Sequence, residues 1–156
     1  EGKVWPHWFE AQKRGLIFDV GHGGGSFLFR VAVPATQQGF YPNTISTDLH
    51  IGSMNAGMKD MLNVVSKMMN LGMSLQEAIT ASTWKPAQVI QREELGNLSV
   101  GAEADVAIFR MHEGQFGFID SSGAANKGTK KLETELTLRA GRIVWDLNGI
   151  GAKIWE

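Results

Sequence analysis

The spacing of apolar residues changes character along the chain, and the changes outline its elements. Leu16-Ile17-Phe18-Asp19-Val20 is a short, mostly apolar run of the kind buried on both faces of a parallel sheet, and Gly21-His22-Gly23-Gly24-Gly25 stops it. Ahead of it, Pro6 suits the first turn of a helix over His7 to Arg14, closed by Gly15. A helical period returns from Ser26 to Gln38, with Phe27 and Val31 on one side, Pro34 as an interior irregularity and Gly39 as the stop. Thr44-Ile45-Ser46-Thr47 predicts a second, β-branched strand ending at Asp48. Met58, Met61, Leu62, Val65, Met68 and Met69 keep the i, i+3, i+4, i+7 spacing of an amphipathic helix that ends before Gly72, its methionines filling a core. Ser74-Leu75-Gln76-Glu77 is a capping box for the next helix, and Ser82 or Thr83 caps a third that carries Pro86 in its first turn.

After Glu94 the period falls to two. Leu98 to Gly101, Asp105 to Arg110, Glu135 to Arg139 and Arg142 to Trp145 read as short strands, the last two joined by a tight hairpin at Ala140-Gly141. Ser121 to Lys131, rich in Gly, Ser, Asn and Lys, reads as a loop. The pattern predicts an α/β segment over residues 1–93, with right-handed strand–helix alternation, and an all-β segment over 94–156.

Composition narrows the partners. The 15 basic and 16 acidic residues leave a net charge of -1 with no basic face, so nucleic acid is not an expected partner. No apolar run approaches the roughly 20 residues that cross a bilayer, so no membrane partner is expected either. The absence of cysteine removes disulfides, thiolate metal sites and cysteine nucleophiles together, and suits a cytoplasmic location. The sequence opens at Glu1 in mid-pattern, without Met, and further sequence is expected ahead of it.

Chemistry is sought where buried strands end, since α/β barrels place their sites at that rim. His22 follows the first strand, and Asp48 ends the second with His50 two residues on. An aspartate there can be a metal ligand, a general base or the N-cap of the following helix, and the sequence leaves these open. The glycines after His22 would let a backbone approach a ligand closely and let a helix N-terminus at Ser26 receive an anion. His22 to Gly25 also spells the His-Gly-Gly-Gly oxyanion motif of esterases, but the Gly-x-Ser-x-Gly elbow that reading requires does not follow. No Gly-Lys-Ser or Gly-Lys-Thr follows to make a phosphate loop.

Four ordered blocks, Ile17 to Gly23, Thr44 to His50, Ala81 to Ala87 and Leu98 to Ala107, together resemble the amidohydrolase superfamily, in particular its dihydroorotase-like amidohydrolase/deacetylase branch. The resemblance implies the C-terminal part of a (β/α)8 metallohydrolase barrel, strands 7 and 8 with their helices over residues 1–93, followed over 94–156 by part of a small composite β-sandwich. It implies a divalent metal, zinc in most members, and hydrolysis of non-peptide carbon–nitrogen bonds in a small-molecule amide or N-acyl substrate. Asp48 matches the strand-8 aspartate, which binds metal and moves a proton during catalysis. With only 25 residues between His22 and Asp48, enough for one β/α step, His22 ends strand 7 and is expected at the substrate or in support behind it, not on the metal. His50 and the glycines Gly23 to Gly25 are expected to line the same rim, with Gly23, Gly24 and His50 binding substrate.

The chain departs from the family in lacking a His-x-His and strands 1 to 6. One carboxylate does not hold a catalytic zinc, which takes about three protein ligands, so the chain by itself is expected to be inactive. The alternative expectation is a non-catalytic remnant that forms a homo-oligomer through exposed barrel edges.

Overall fold

The structure is a computed structural model that describes residues 2–155. Helix α1, Pro6–Lys13, starts at the expected proline and is followed by strand β1, Asp19–Gly21. Helix α2 spans Phe29–Gln37 and strand β2 Thr44–Ser46. Helices α3, Met61–Asn70, α4, Leu75–Ser82, and α5, Trp84–Val89, come next. The second part holds β3, Val106–Ile119, β4, Ala125–Arg139, and β5, Arg142–Asp146.

β1 and β2 pair in parallel across the α2 crossover, with Asp19 opposite Thr44, Val20 opposite Ile45 and Gly21 opposite Ser46. Side chains alternate along strands, so this register sorts residues onto two faces. Val20 and Ile45 face the helices, and Ile45 is buried. Asp19, Thr44 and Ser46 share the other face, where the Asp19 carboxylate accepts from both hydroxyls. The first strand was expected to be longer and buried on both faces. Instead Leu16 and Ile17 are about half exposed, because β1 has a single strand neighbour.

The capping box at Ser74 and Glu77 forms as expected, with both reciprocal bonds present. Asp60 caps α3 by accepting from the Asn63 amide at 2.7 Å. Met58, Met68 and Met69 are buried in the core with Val64, Val65 and Ala78, in line with their reading as filler. Pro34 stands inside α2 without ending it.

In the second part β3, β4 and β5 form an antiparallel sheet in that order. The Ala140-Gly141 turn takes the left-handed conformation at both residues, φ 48° and 74°, as a two-residue hairpin requires. Two expectations fail. Leu98 to Gly101 is not a strand, and Leu98 and Val100 are exposed. Ser121 to Lys131 is a loop only as far as Ala124; from Ala125 it is β4, paired with β3. Its polar composition is that of a solvent-facing ribbon, and pairing outweighs the local preference.

β4 also packs on α3. Ser66 Oγ accepts from the Leu132 amide at 2.9 Å, and Asn70 Oδ1 accepts from the Thr129 amide at 2.8 Å. These bonds cover backbone that would otherwise be a bare edge. Phe118 and Leu132 join the same core as Phe27, Ile45 and Val64, so one core crosses the boundary expected at residues 93 and 94.

Candidate active site

The parallel register of β1 and β2 extends past both strand ends and brings the glycine turn against Asp48. The Gly23 amide donates to Thr47 O at 2.8 Å. Gly23 has φ +48°, and a Cβ built on it would collide with the Asp48 carboxylate. Asp48 is itself in the left-handed region at φ 49°, where a non-glycine residue is uncommon and worth functional attention. Its carbonyl accepts from Ser53 Oγ at 3.2 Å, while its side chain is exposed on the face that carries Asp19, Thr44 and Ser46. Of the three roles left open for Asp48, the helix cap is excluded: α3 is capped by Asp60.

His50 lies beside the turn, with its Cε1 and Nε2 each 3.5 Å from where a Gly24 Cβ would stand. Its Nδ1 accepts from the Gly52 amide at 3.1 Å, which puts the N–H of a neutral ring at Nε2, and the residue is exposed. Asp48, Gly23, Gly24 and His50 therefore gather at one strand end.

Asp48, Gly24 and His50 are exposed, whereas His22, like Gly23, is buried. One residue out of phase with Gly21 and Gly23, it turns to the helix side and is completely buried, stacked on Phe27 with 4.7 Å between ring centroids. Its Nδ1 lies 3.0 Å from Gly23 O and its Nε2 lies 2.8 Å from Lys67 Nζ. Burial, then the neighbouring Lys67 charge, hold its pKa below the usual 6.5. Of the two roles expected for it, support behind the site fits this position and direct contact with a substrate does not.

Lys67 and Asp120 escaped the sequence reading. Lys67 is 1% exposed and also donates to Gly57 O at 2.6 Å; burial lowers its pKa from 10.5 to about 8. Asp120, 2% exposed, sits in the β3–β4 turn and accepts from the Phe29 amide at 2.9 Å, so it caps α2 across 91 residues. Burial pushes its pKa up, but hydrogen bonds from Phe29, Ser122 and Ala124 outweigh that and hold it at about 2. The helix N-terminus expected to receive an external anion near Ser26 begins instead at Phe29 and is filled by this internal carboxylate. An Asp-Ser-Ser-Gly turn was the one signal for Asp120; for Lys67 it was being the one charged residue within an amphipathic helix, next to Met68 and Met69.

The described residues contain no group of three or more His, Asp or Glu side chains able to hold a metal ion. Asp48 fits as one carboxylate ligand, and His22 is turned away, so the residues present do not make a metal site by themselves.

Residues 32–144 match the model of the amidohydrolase family, and the chain belongs to that family. A deacetylase of Brucella anthropi is 39% identical over 119 residues, covering 76% of this chain and 30% of the relative. A deacetylase of Enterococcus faecalis is 30% identical over 136 residues, 86% of this chain and 37% of the relative. Among solved structures, an adenine deaminase superposes with a TM-score of 0.86 at 29% identity, over 93% of this chain and 39% of that one. A dihydroorotase gives 0.79 at 32%, over 90% and 38%. The chain thus spans about a third of the length of the relatives it matches.

Proposed function

We propose that this chain is the C-terminal part of a metal-dependent hydrolase of non-peptide carbon–nitrogen bonds, carrying strands 7 and 8 of a (β/α)8 barrel and part of a β-sandwich. The deacetylase names of its relatives favour a small N-acyl substrate, and its likeness to a dihydroorotase keeps a cyclic amide as the other class. The observation that carries the reading is Asp48: a carboxylate at a strand end, relieved of helix capping, exposed beside a glycine turn that only a residue without Cβ allows. A divalent ion held jointly by Asp48 and ligands outside these residues would supply Lewis acidity. Asp48's own part is proton transfer. It accepts a proton from the water whose oxygen bonds to the amide carbonyl carbon, then delivers it to the leaving nitrogen as the carbon–nitrogen bond breaks. His50, an exposed residue whose Nδ1 is taken up by the Gly52 amide, is placed to donate from Nε2 to a substrate oxygen.

The test is Asp48→Asn in the full-length protein, assayed for amide hydrolysis and for bound metal. Asparagine keeps the shape and loses the base, so turnover is expected to fall on the order of 10²–10⁴-fold, with an unchanged melting temperature. Wild-type turnover in Asp48→Asn would overturn the reading.

A further inference from the structure

We propose that Lys67 and His22 are positioning residues that set the place of the Asp48 carboxylate through the Gly23 turn. The inference rests on the reading of Asp48 as the proton-transfer group, and it assigns a purpose to a buried cation which that reading leaves unused. A lysine 1% exposed is costly unless its donors are spent, and Lys67 spends two of them on neutral acceptors, His22 Nε2 and Gly57 O.

Donor and acceptor arithmetic then fixes the imidazole from both sides. Gly23 O can only accept, so Nδ1 at 3.0 Å must carry the hydrogen. The Lys67 ammonium can only donate, so Nε2 at 2.8 Å must be bare. The ring is neutral, its tautomer is set, and its plane is held by the stack on Phe27. From the ring the path is short. His22 Nδ1–H holds the Gly23 carbonyl, the Gly23 amide holds Thr47 O at 2.8 Å, and Gly23 abuts the Asp48 carboxylate. Lys67 on α3 and Asp48 after β2 are thereby joined through the backbone of the turn after β1. Gly57, the other acceptor of Lys67, is itself held closely: a Cβ there would come within 2.5 Å of both Ile119 O and Asp120 O.

The experiment exploits the two ends of the imidazole in the full-length protein. In His22→Asn the amide N–H can stand where Nδ1–H stood; in His22→Gln it reaches toward the Nε2 position and leaves Gly23 O without its donor. His22→Asn is expected to keep kcat within about tenfold, and His22→Gln to lose about 10²-fold in kcat with KM within about threefold, as for a displaced catalytic group. Lys67→Met is expected to match His22→Gln, and the double variant to lose no more than either single one. If the variants fold poorly, nitrogen-15 NMR of the wild-type His22 ring decides: a protonated Nδ1 and bare Nε2 at neutral pH support the proposal, and an Nε2–H tautomer or an imidazolium overturns it. Equal kcat for His22→Asn and His22→Gln also overturns it. An inactive Asp48→Asn beside equal His22 variants would sink this inference alone, whereas an active Asp48→Asn sinks the functional reading beneath it.

Discussion

At Gly23 the positive φ and the contact with the Asp48 carboxylate coincide, so one methyl group should do two kinds of damage. Gly23→Ala is expected to cost roughly 1–2 kcal/mol of stability from the left-handed backbone. It should also lower kcat/KM of the full-length protein by about 10²-fold by shifting the carboxylate. Thermal melts and steady-state kinetics on one preparation separate the two effects, and loss of stability without loss of rate would show that the contact is incidental. The buried Lys67 gives a second prediction. The unfolded chain holds its proton up to about pH 10.5 and the folded chain only to about 8, so the unfolded state binds more protons between those values. Stability should therefore rise with pH across that window, by about 3 kcal/mol at most. His22 acts with the same sign at lower pH: its folded pKa lies below 6.5, so stability falls as pH drops below that value. Melting temperature against pH from 7 to 10.5 checks the lysine, since the rise should vanish in Lys67→Met. The place of Asp48 just past a strand was legible in the sequence because the β-branched run Thr44 to Thr47 ends there, while the sequence leaves its role open between ligand, base and cap. The orientation of His22 was not legible, because the residue follows the strand closely enough to be placed on either face, and only the pairing of Val20 with Ile45 settles which.

At the scale of elements, the tip of the β3–β4 hairpin acts as a latch on the turn that carries the site. Besides Asp120, Ser121 takes part: its amide donates to Phe27 O at 2.9 Å, and its Oγ accepts from the Phe27 amide at 3.3 Å. Asp120→Ala would strip the acceptor from the Phe29, Ser122 and Ala124 amides and the Ser122 hydroxyl at once. A destabilisation of about 2–4 kcal/mol is expected from the lost cap and the unpaired donors. Amide exchange should quicken first at Phe27 and Phe29, and uniform quickening across α3 and α4 would argue against a local latch. Because the Asp120 pKa is lowered from 3.8 to about 2, the latch should hold above about pH 4 and weaken as pH falls toward 2. The capping box at Ser74 and the Ala140-Gly141 turn were readable because each is a local device whose residues lie within three or four positions of one another. The latch was not, since Asp120 meets Phe29 across 91 residues and the sequence offers only a turn signal at one end. For the same reason the strand from Ala125 was taken for loop: what makes it a strand is β3 on one side and Ser66 and Asn70 of α3 on the other.

Across the whole molecule, the apolar surface is distributed as though more protein covered it. Four of the five tryptophans, Trp5, Trp8, Trp145 and Trp155, are between 44% and 92% exposed, and Ile51 is 90% exposed. Large side chains of this kind occur singly on soluble surfaces but cost free energy in number. The β1–β2 sheet adds to this, since parallel strands are ordinarily covered on both faces and a two-stranded sheet is marginal alone. The metal argument runs the same way: among the described residues no group of three or more His, Asp or Glu side chains could hold a metal ion, while a catalytic zinc takes about three protein ligands. Both observations meet in one comparison. The 156 residues expressed alone are expected to associate in sedimentation velocity, to bind a hydrophobic dye, and to retain well under one equivalent of zinc after dialysis. The full-length protein is expected to bind little dye and to retain stoichiometric metal. A monomeric, dye-silent 156-residue chain with one tightly held zinc would mean that these residues complete a site by an arrangement other than the one centred on Asp48.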